Sequence, residues 1–133
     1  MKKILIVASV AILALCGCTP KADKAAEVAS DFLSDFFNMD YAGAAAFCTD
    51  DIAAMLRDTI AAGDYPSEEI RAKVVEASRK TTFKVLSSAL DEESGDVVVN
   101  YEIVPYGAAK SSAILHTMRL VRIEGDWKIT SLE

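Results

Sequence analysis

The sequence predicts an α+β domain in which N-terminal helices pack on a four-stranded antiparallel meander. Three observations carry that expectation. Between Ala22 and Lys80 apolar residues recur at helical spacing, and from Thr81 onward the period shortens to two. The turn-rich stretches Asp91-Glu92-Glu93-Ser94-Gly95, Gly107-Ala108-Ala109 and Glu124-Gly125-Asp126 divide this second half into four strand-length runs. Connections so short join antiparallel neighbours, and a sheet with one apolar face needs a cover.

The clearest strand follows Asp96. Val97, Val99, Tyr101 and Ile103 place apolar groups at alternate positions, with Asn100 and Glu102 between them. Ile114, His116, Met118 and Leu120 repeat the pattern on the next run, and Trp127 and Ile129 on the last. The first run, Thr81 to Leu90, is irregular, because Leu86 and Leu90 oppose Phe83 and Val85 in a strict alternation.

The helical half divides into four. The first helix starts near Lys21 or Ala22 and runs to about Asn38, with Ala22, Ala25, Ala29, Phe32, Leu33, Phe36 and Phe37 on its apolar side. Asp40 caps a short second helix, Tyr41 to Cys48, whose Ala44-Ala45-Ala46 permits close packing. Thr49 or Asp50 caps a third, striped by Ile52, Met55, Leu56, Thr59 and Ile60 and ended by Gly63. Pro66 falls in the first turn of a fourth, with Ile70, Val74 and Ala77 facing inward and Arg79-Lys80 near its negative end.

The chain opens differently. Lys2 and Lys3 precede ILIVASVAILAL, an apolar run of signal-peptide length and too short to span a bilayer comfortably. It ends in Leu15-Cys16-Gly17-Cys18, which resembles the lipobox of bacterial lipoproteins. The resemblance makes residues 1–17 a removable signal peptide, Cys18 the lipidated first residue of the mature chain, 18–21 a tether and 22–133 the domain. Gly17 supplies the small residue before cleavage, whereas bulky Leu15 would precede Cys16. Thr19 in place of an aspartate after the anchor implies, by analogy, the outer membrane with the domain facing the periplasm. The membrane is then a partner through the lipid on Cys18.

Removing 17 of the 133 residues leaves 116, enough for one core. The leader carries two lysines and no acid, so the net charge moves from −6 to −8. A body this acidic repels nucleic acid and anionic headgroups, and neither is expected as a partner. Beyond the leader and anchor only Cys48 remains, which excludes an intramolecular disulfide. Phe47, Thr49, Asp50 and Asp51 around it disfavour a thiolate, so Cys48 reads as a small buried apolar residue.

Helices followed by a meander that closes on a turn–Trp–Lys–Ile strand resemble the nuclear transport factor 2-like, cystatin-like cone superfamily. Asp40-Tyr41-Ala42-Gly43-Ala44-Ala45 and Arg122-Ile123-Glu124-Gly125-Asp126-Trp127-Lys128-Ile129 carry the likeness, which extends over about residues 22–132. Within it the chain most resembles the lipoprotein domain of unknown function 4878, grouped with lumazine-binding-like proteins. The resemblance implies a curved sheet wrapped around the long first helix, with a pocket at the open end of the cone. It implies no single activity, since members include enzymes, binding modules and assembly domains.

His116, the one histidine, stands on the apolar side of its strand with Ile114 and Met118. Tyr41, Tyr101, His116, Met118 and Trp127 form the candidate pocket set. Proton transfer would want a second positioned group, yet Asp96 and Glu102 fall on the opposite face of their strand. His116 is therefore read as satisfied by one main-chain or tyrosine partner, and no catalytic residue is assigned. One histidine, one cysteine and scattered acids lack metal-ligand spacing, and Asp50-Asp51 and Asp91-Glu92-Glu93 lack the rhythm of a calcium loop. Neither a metal nor a cofactor is expected, and there is no phosphate loop or Gly-x-Ser-x-Gly nucleophile turn. The expectation is a non-catalytic module that binds a small apolar ligand or a partner protein. The alternatives are a small cone-fold enzyme using His116 for proton transfer, and a structural envelope protein that forms a homodimer through the outer sheet face at Val98 and Val104.

Overall fold

The computed structural model describes residues 20–61 and 65–133. The expected signal peptide, Cys18 and the helix-ending Gly63 lie outside them. Four helices come first: α1 (Pro20–Phe37), α2 (Tyr41–Ala45), α3 (Asp50–Ala61) and α4 (Glu68–Lys80). They are followed by β1 (Thr82–Leu90), β2 (Val97–Val104), β3 (Ile114–Ile123) and β4 (Asp126–Leu132). The strands form one open sheet in sequence order with every neighbouring pair antiparallel, so the architecture is α+β.

α1 lies along the sheet and touches β1, β2 and β4. It already includes Pro20 and Lys21, which the sequence assigns to the tether; a proline suits a first helical turn, where its missing N–H leaves no bond unmade. Ala22, Ala25, Ala29, Phe32 and Leu33 are buried against Val97, Val99 and Tyr101 of β2, Met118 and Leu120 of β3, and Trp127 and Ile129 of β4. Each large member of that set contributes about 1.5–3 kcal/mol by leaving water.

Two bulges adjust the sheet's faces. In β1, Val85 sits opposite Tyr101 and Ser87 opposite Asn100, leaving Leu86 without a partner. That extra residue puts Phe83, Val85, Ser88 and Leu90 on one face, which resolves the irregularity of this run in the sequence. In β4, Ile129 pairs with Leu120 and Ser131 with Arg119, so Thr130 is the extra residue and Leu132 comes opposite Met118.

Three helical expectations need correction. α2 ends at Ala45 and not at Cys48, because the chain leaves the helix to pair with the open edge of β4. The Ile129 amide donates to the Phe47 carbonyl at 2.8 Å and the Thr49 amide to the Ile129 carbonyl at 2.9 Å. Edge groups that would otherwise be unpaired are thereby satisfied. α4 starts after Ser67, whose hydroxyl accepts from the Ile70 amide at 3.2 Å, so Pro66 precedes the cap. Ile70 and Val74, expected inward, are 41% and 37% exposed, and no α4 residue is buried. α1 already occupies the inner face of the sheet, and α4 is tied to α1 by the Ser78 hydroxyl, which donates to the Phe37 carbonyl at 2.8 Å. Met55, placed on the α3 stripe, is exposed as well. Among the described residues no helix is long and apolar enough to cross a membrane.

Candidate functional site

Two concavities lie at opposite ends of the inner face. The smaller, about 240 Å³, is lined by Phe32, Leu33, Phe36 and Phe37 of α1, by Tyr101, Ile103 and His116 of β2 and β3, and by Leu132 and Glu133. Its α1 wall follows from spacing: positions 32, 33, 36 and 37 share one helical face. Its floor follows from register, since Tyr101 sits opposite His116 and Ile103 opposite Ile114. The Tyr101 and His116 rings stack with centroids 5.5 Å apart and planes 20° apart.

His116 has the main-chain partner that the sequence argument asks for. Its Nδ1 lies 2.5 Å from the Glu133 main-chain oxygen. An oxygen only accepts, so Nδ1 carries the proton there. The strand end that supplies this oxygen is held in turn by the Glu133 amide, which donates to the Thr117 carbonyl at 2.9 Å. Tyr101 is buried, and burial alone pushes its phenol up from the ordinary value, so it keeps its proton at neutral pH.

The larger cleft, about 450 Å³, lies between the start of α1 and the β3–β4 turn. Lys21, Lys24, Arg122, Glu27, Asp31 and Asp126 line it with both signs of charge, and Arg122 covers the Trp127 ring at 5.8 Å. Among the described residues these charges form no ion pair with one another. Size favours this cleft, but its walls are long solvated side chains. The smaller pocket is the better candidate because its walls are aromatic and aliphatic and its few polar groups are fixed.

Of the five residues in the candidate pocket set, Tyr101 and His116 line the smaller pocket. Tyr41 stands behind its wall, meeting Phe36 edge-on at 5.3 Å, and Met118 is fully buried beside it in the core. Trp127 belongs to the other cleft. Phe32, Leu33, Phe36, Phe37, Ile103, Leu132 and Glu133 also line the pocket and are absent from that set. The alternation of β2 points to Ile103, and the α1 stripe contains Leu33 and Phe37; Leu132 and Glu133 depend on the Thr130 bulge.

Cys48 is buried, its thiol 3.5 Å from the Ala44 carbonyl, and burial pushes the thiol up to about 11. It is a poor nucleophile at neutral pH. Among the described residues no three His, Cys, Asp or Glu side chains cluster as metal ligands. No protein-family model matches the chain, and comparison with curated proteins finds no significant match.

Proposed function

We propose that the chain is a lipid-anchored protein of the bacterial cell envelope whose domain binds a small apolar ligand without catalysis. The observation that carries this is the 240 Å³ pocket walled by Phe32, Leu33, Phe36, Phe37 and Ile103, with Glu133 the one acidic lining residue among those described. The order of elements, helices and then an antiparallel meander whose last strand begins Asp126-Trp127-Lys128-Ile129, supports membership of the nuclear transport factor 2-like cone superfamily. Leu15-Cys16-Gly17-Cys18 supports the anchor and the periplasmic face of the outer membrane as its location.

Proton transfer by His116 has less support, since its Nδ1 is engaged by a main-chain oxygen and its stacked neighbour Tyr101 keeps its proton. A homodimer through the outer sheet face has Leu115, 72% exposed, in its favour. Against it, Ser87, Asn100 and Thr117 run a hydrogen-bonded polar ladder across three strands of that face, each link 3.0 Å.

The binding test is a titration of the full chain, held in lipid nanodiscs and labelled at its methyl groups, with ethylbenzene. Leu33, Ile103 and Leu132 resonances are expected to shift together, and an Ile103→Trp variant that fills the pocket should not respond. No shift in the wild type up to the solubility of ethylbenzene overturns the reading. The anchor is tested separately: Cys18→Ala should abolish fatty-acid labelling and Cys16→Ala should not.

A further inference from the structure

The pocket wall contains a buried polar group that has no partner among the described residues. Tyr101 is 4% exposed, and its hydroxyl has no hydrogen-bond partner among the described residues. A hydroxyl of a pocket-lining residue that has no partner in the fold is open to water or to the polar group of an incoming molecule. Tyr101 forms part of the pocket wall, and His116 stacks on it within the same wall. An imidazole that carries a single proton, held on Nδ1 by the Glu133 main-chain oxygen, has Nε2 as an acceptor. The wall therefore offers a hydroxyl that donates or accepts beside a nitrogen that accepts.

The charge of the surroundings narrows the choice. Among the described residues no lysine or arginine lines the pocket, and Glu133 is the only acidic side chain there. An anionic head would meet a carboxylate and no cation. The volume, 240 Å³, equals that of about eight waters, which admits one substituted ring and not a long acyl chain.

We propose that the pocket takes a small amphipathic molecule, an apolar body about the size of a substituted benzene ring, ending in a neutral head such as a primary amide or an alcohol. The head accepts from the Tyr101 hydroxyl and donates to His116 Nε2, while the body lies among Phe32, Leu33 and Phe36. The inference rests on the apolar-pocket reading above and adds the chemistry of the head.

The test compares four probes with a common benzyl body on the full chain in nanodiscs: ethylbenzene, 2-phenylacetamide, phenylacetate and phenethylamine, with dissociation constants read from the Leu33, Ile103 and Leu132 methyls. The amide is expected to bind about tenfold tighter than ethylbenzene, the size of one net hydrogen bond or a little more, and tighter than either charged probe. Tyr101→Phe should remove about three- to tenfold of the amide's affinity and leave ethylbenzene within about twofold. The same variant should melt no lower than the wild type, because it deletes an unpaired buried hydroxyl; a hydroxyl with a structural bond would show a drop. Equal affinity for amide and ethylbenzene, or a preference for the carboxylate or the amine, overturns the inference and leaves the apolar pocket standing. Failure of all four probes to bind overturns both. The wild-type ranking decides even if Tyr101→Phe does not fold.

Discussion

The Thr49 amide donates to the Ile129 carbonyl at 2.9 Å across 80 residues of chain, and its hydroxyl lies 3.2 Å from the same oxygen. The hydroxyl also stands 2.5 Å from an Asp51 carboxylate oxygen. One residue thus joins the start of α3 to the edge of β4 beside a fully buried core position. Thr49→Val keeps the amide and the branched shape and removes only the hydroxyl. It should cost about 0.5–2 kcal/mol in urea melts, as for the loss of a helix-start hydrogen bond. An unchanged midpoint would mean that the hydroxyl is equally well hydrated in the unfolded chain.

The same contact predicts a pH dependence. The Thr49 hydroxyl holds the Asp51 carboxyl below its usual range, and the Glu93 amide does the same for Asp91. Both groups favour the charged form more in the folded chain than in the unfolded one. Their contribution is therefore full above the unfolded value near pH 4 and is lost as pH falls through the lower folded values. The stability gap between wild type and Thr49→Val should shrink between pH 7 and pH 3. Urea midpoints at pH 3, 5 and 7 check this, and a gap independent of pH would show that the Asp51 bond does not persist in solution.

Trp127 is buried at the opposite end of the inner face from the pocket, with Arg122 over its ring. Trp127→Ala should cost about 3–5 kcal/mol, whereas Arg122→Ala, which removes only the exposed cation, should cost about 0.5–1 kcal/mol. A double variant no worse than Trp127→Ala would show that the arginine acts through the ring. A Trp127→Ala loss below about 1 kcal/mol would mean the indole is not a core residue.

The residues of β2 and β3 reveal their arrangement because every inward position is apolar or aromatic, so one period gives the strand, the face and the Tyr101–His116 pairing. α4 shows the limit of that reasoning. Ile70, Val74 and Ala77 repeat at helical spacing, but periodicity does not say whether any sheet surface is left to cover. Trp127 falls in the candidate pocket set because it shares an inner face with His116, yet five residues of strand, about 16 Å, separate it from Leu132 at the pocket. Leu132 and Glu133 are hidden for another reason. A bulge is decided by the partner strand, so nothing in the local run marks Thr130 as the extra residue.

The β1 bulge yields the last prediction. Leu86 has no partner on β2 and is 44% exposed, while Val85 and Ser88 on either side of the bulge both keep inward partners. Deleting Leu86 therefore turns β1 into a regular strand: Phe83, Val85, Ser88 and Leu90 still alternate on the inner face, and only the local bend is lost. The deletion should fold, at a cost within the ordinary range of roughly 0.5–3 kcal/mol. Asn100 has partners on both sides, Ser87 on β1 and Thr117 on β3, and no bulge in β2 absorbs its removal. Deleting it slips one half of the central strand by one residue, which drives either Val97 and Val99 or Tyr101 and Ile103 out of the core. That chain should show no cooperative urea transition and no near-ultraviolet circular dichroism. Equal tolerance of the two deletions would mean that Leu86 is not the bulged residue and that the pairing of β1 with β2 is wrongly assigned.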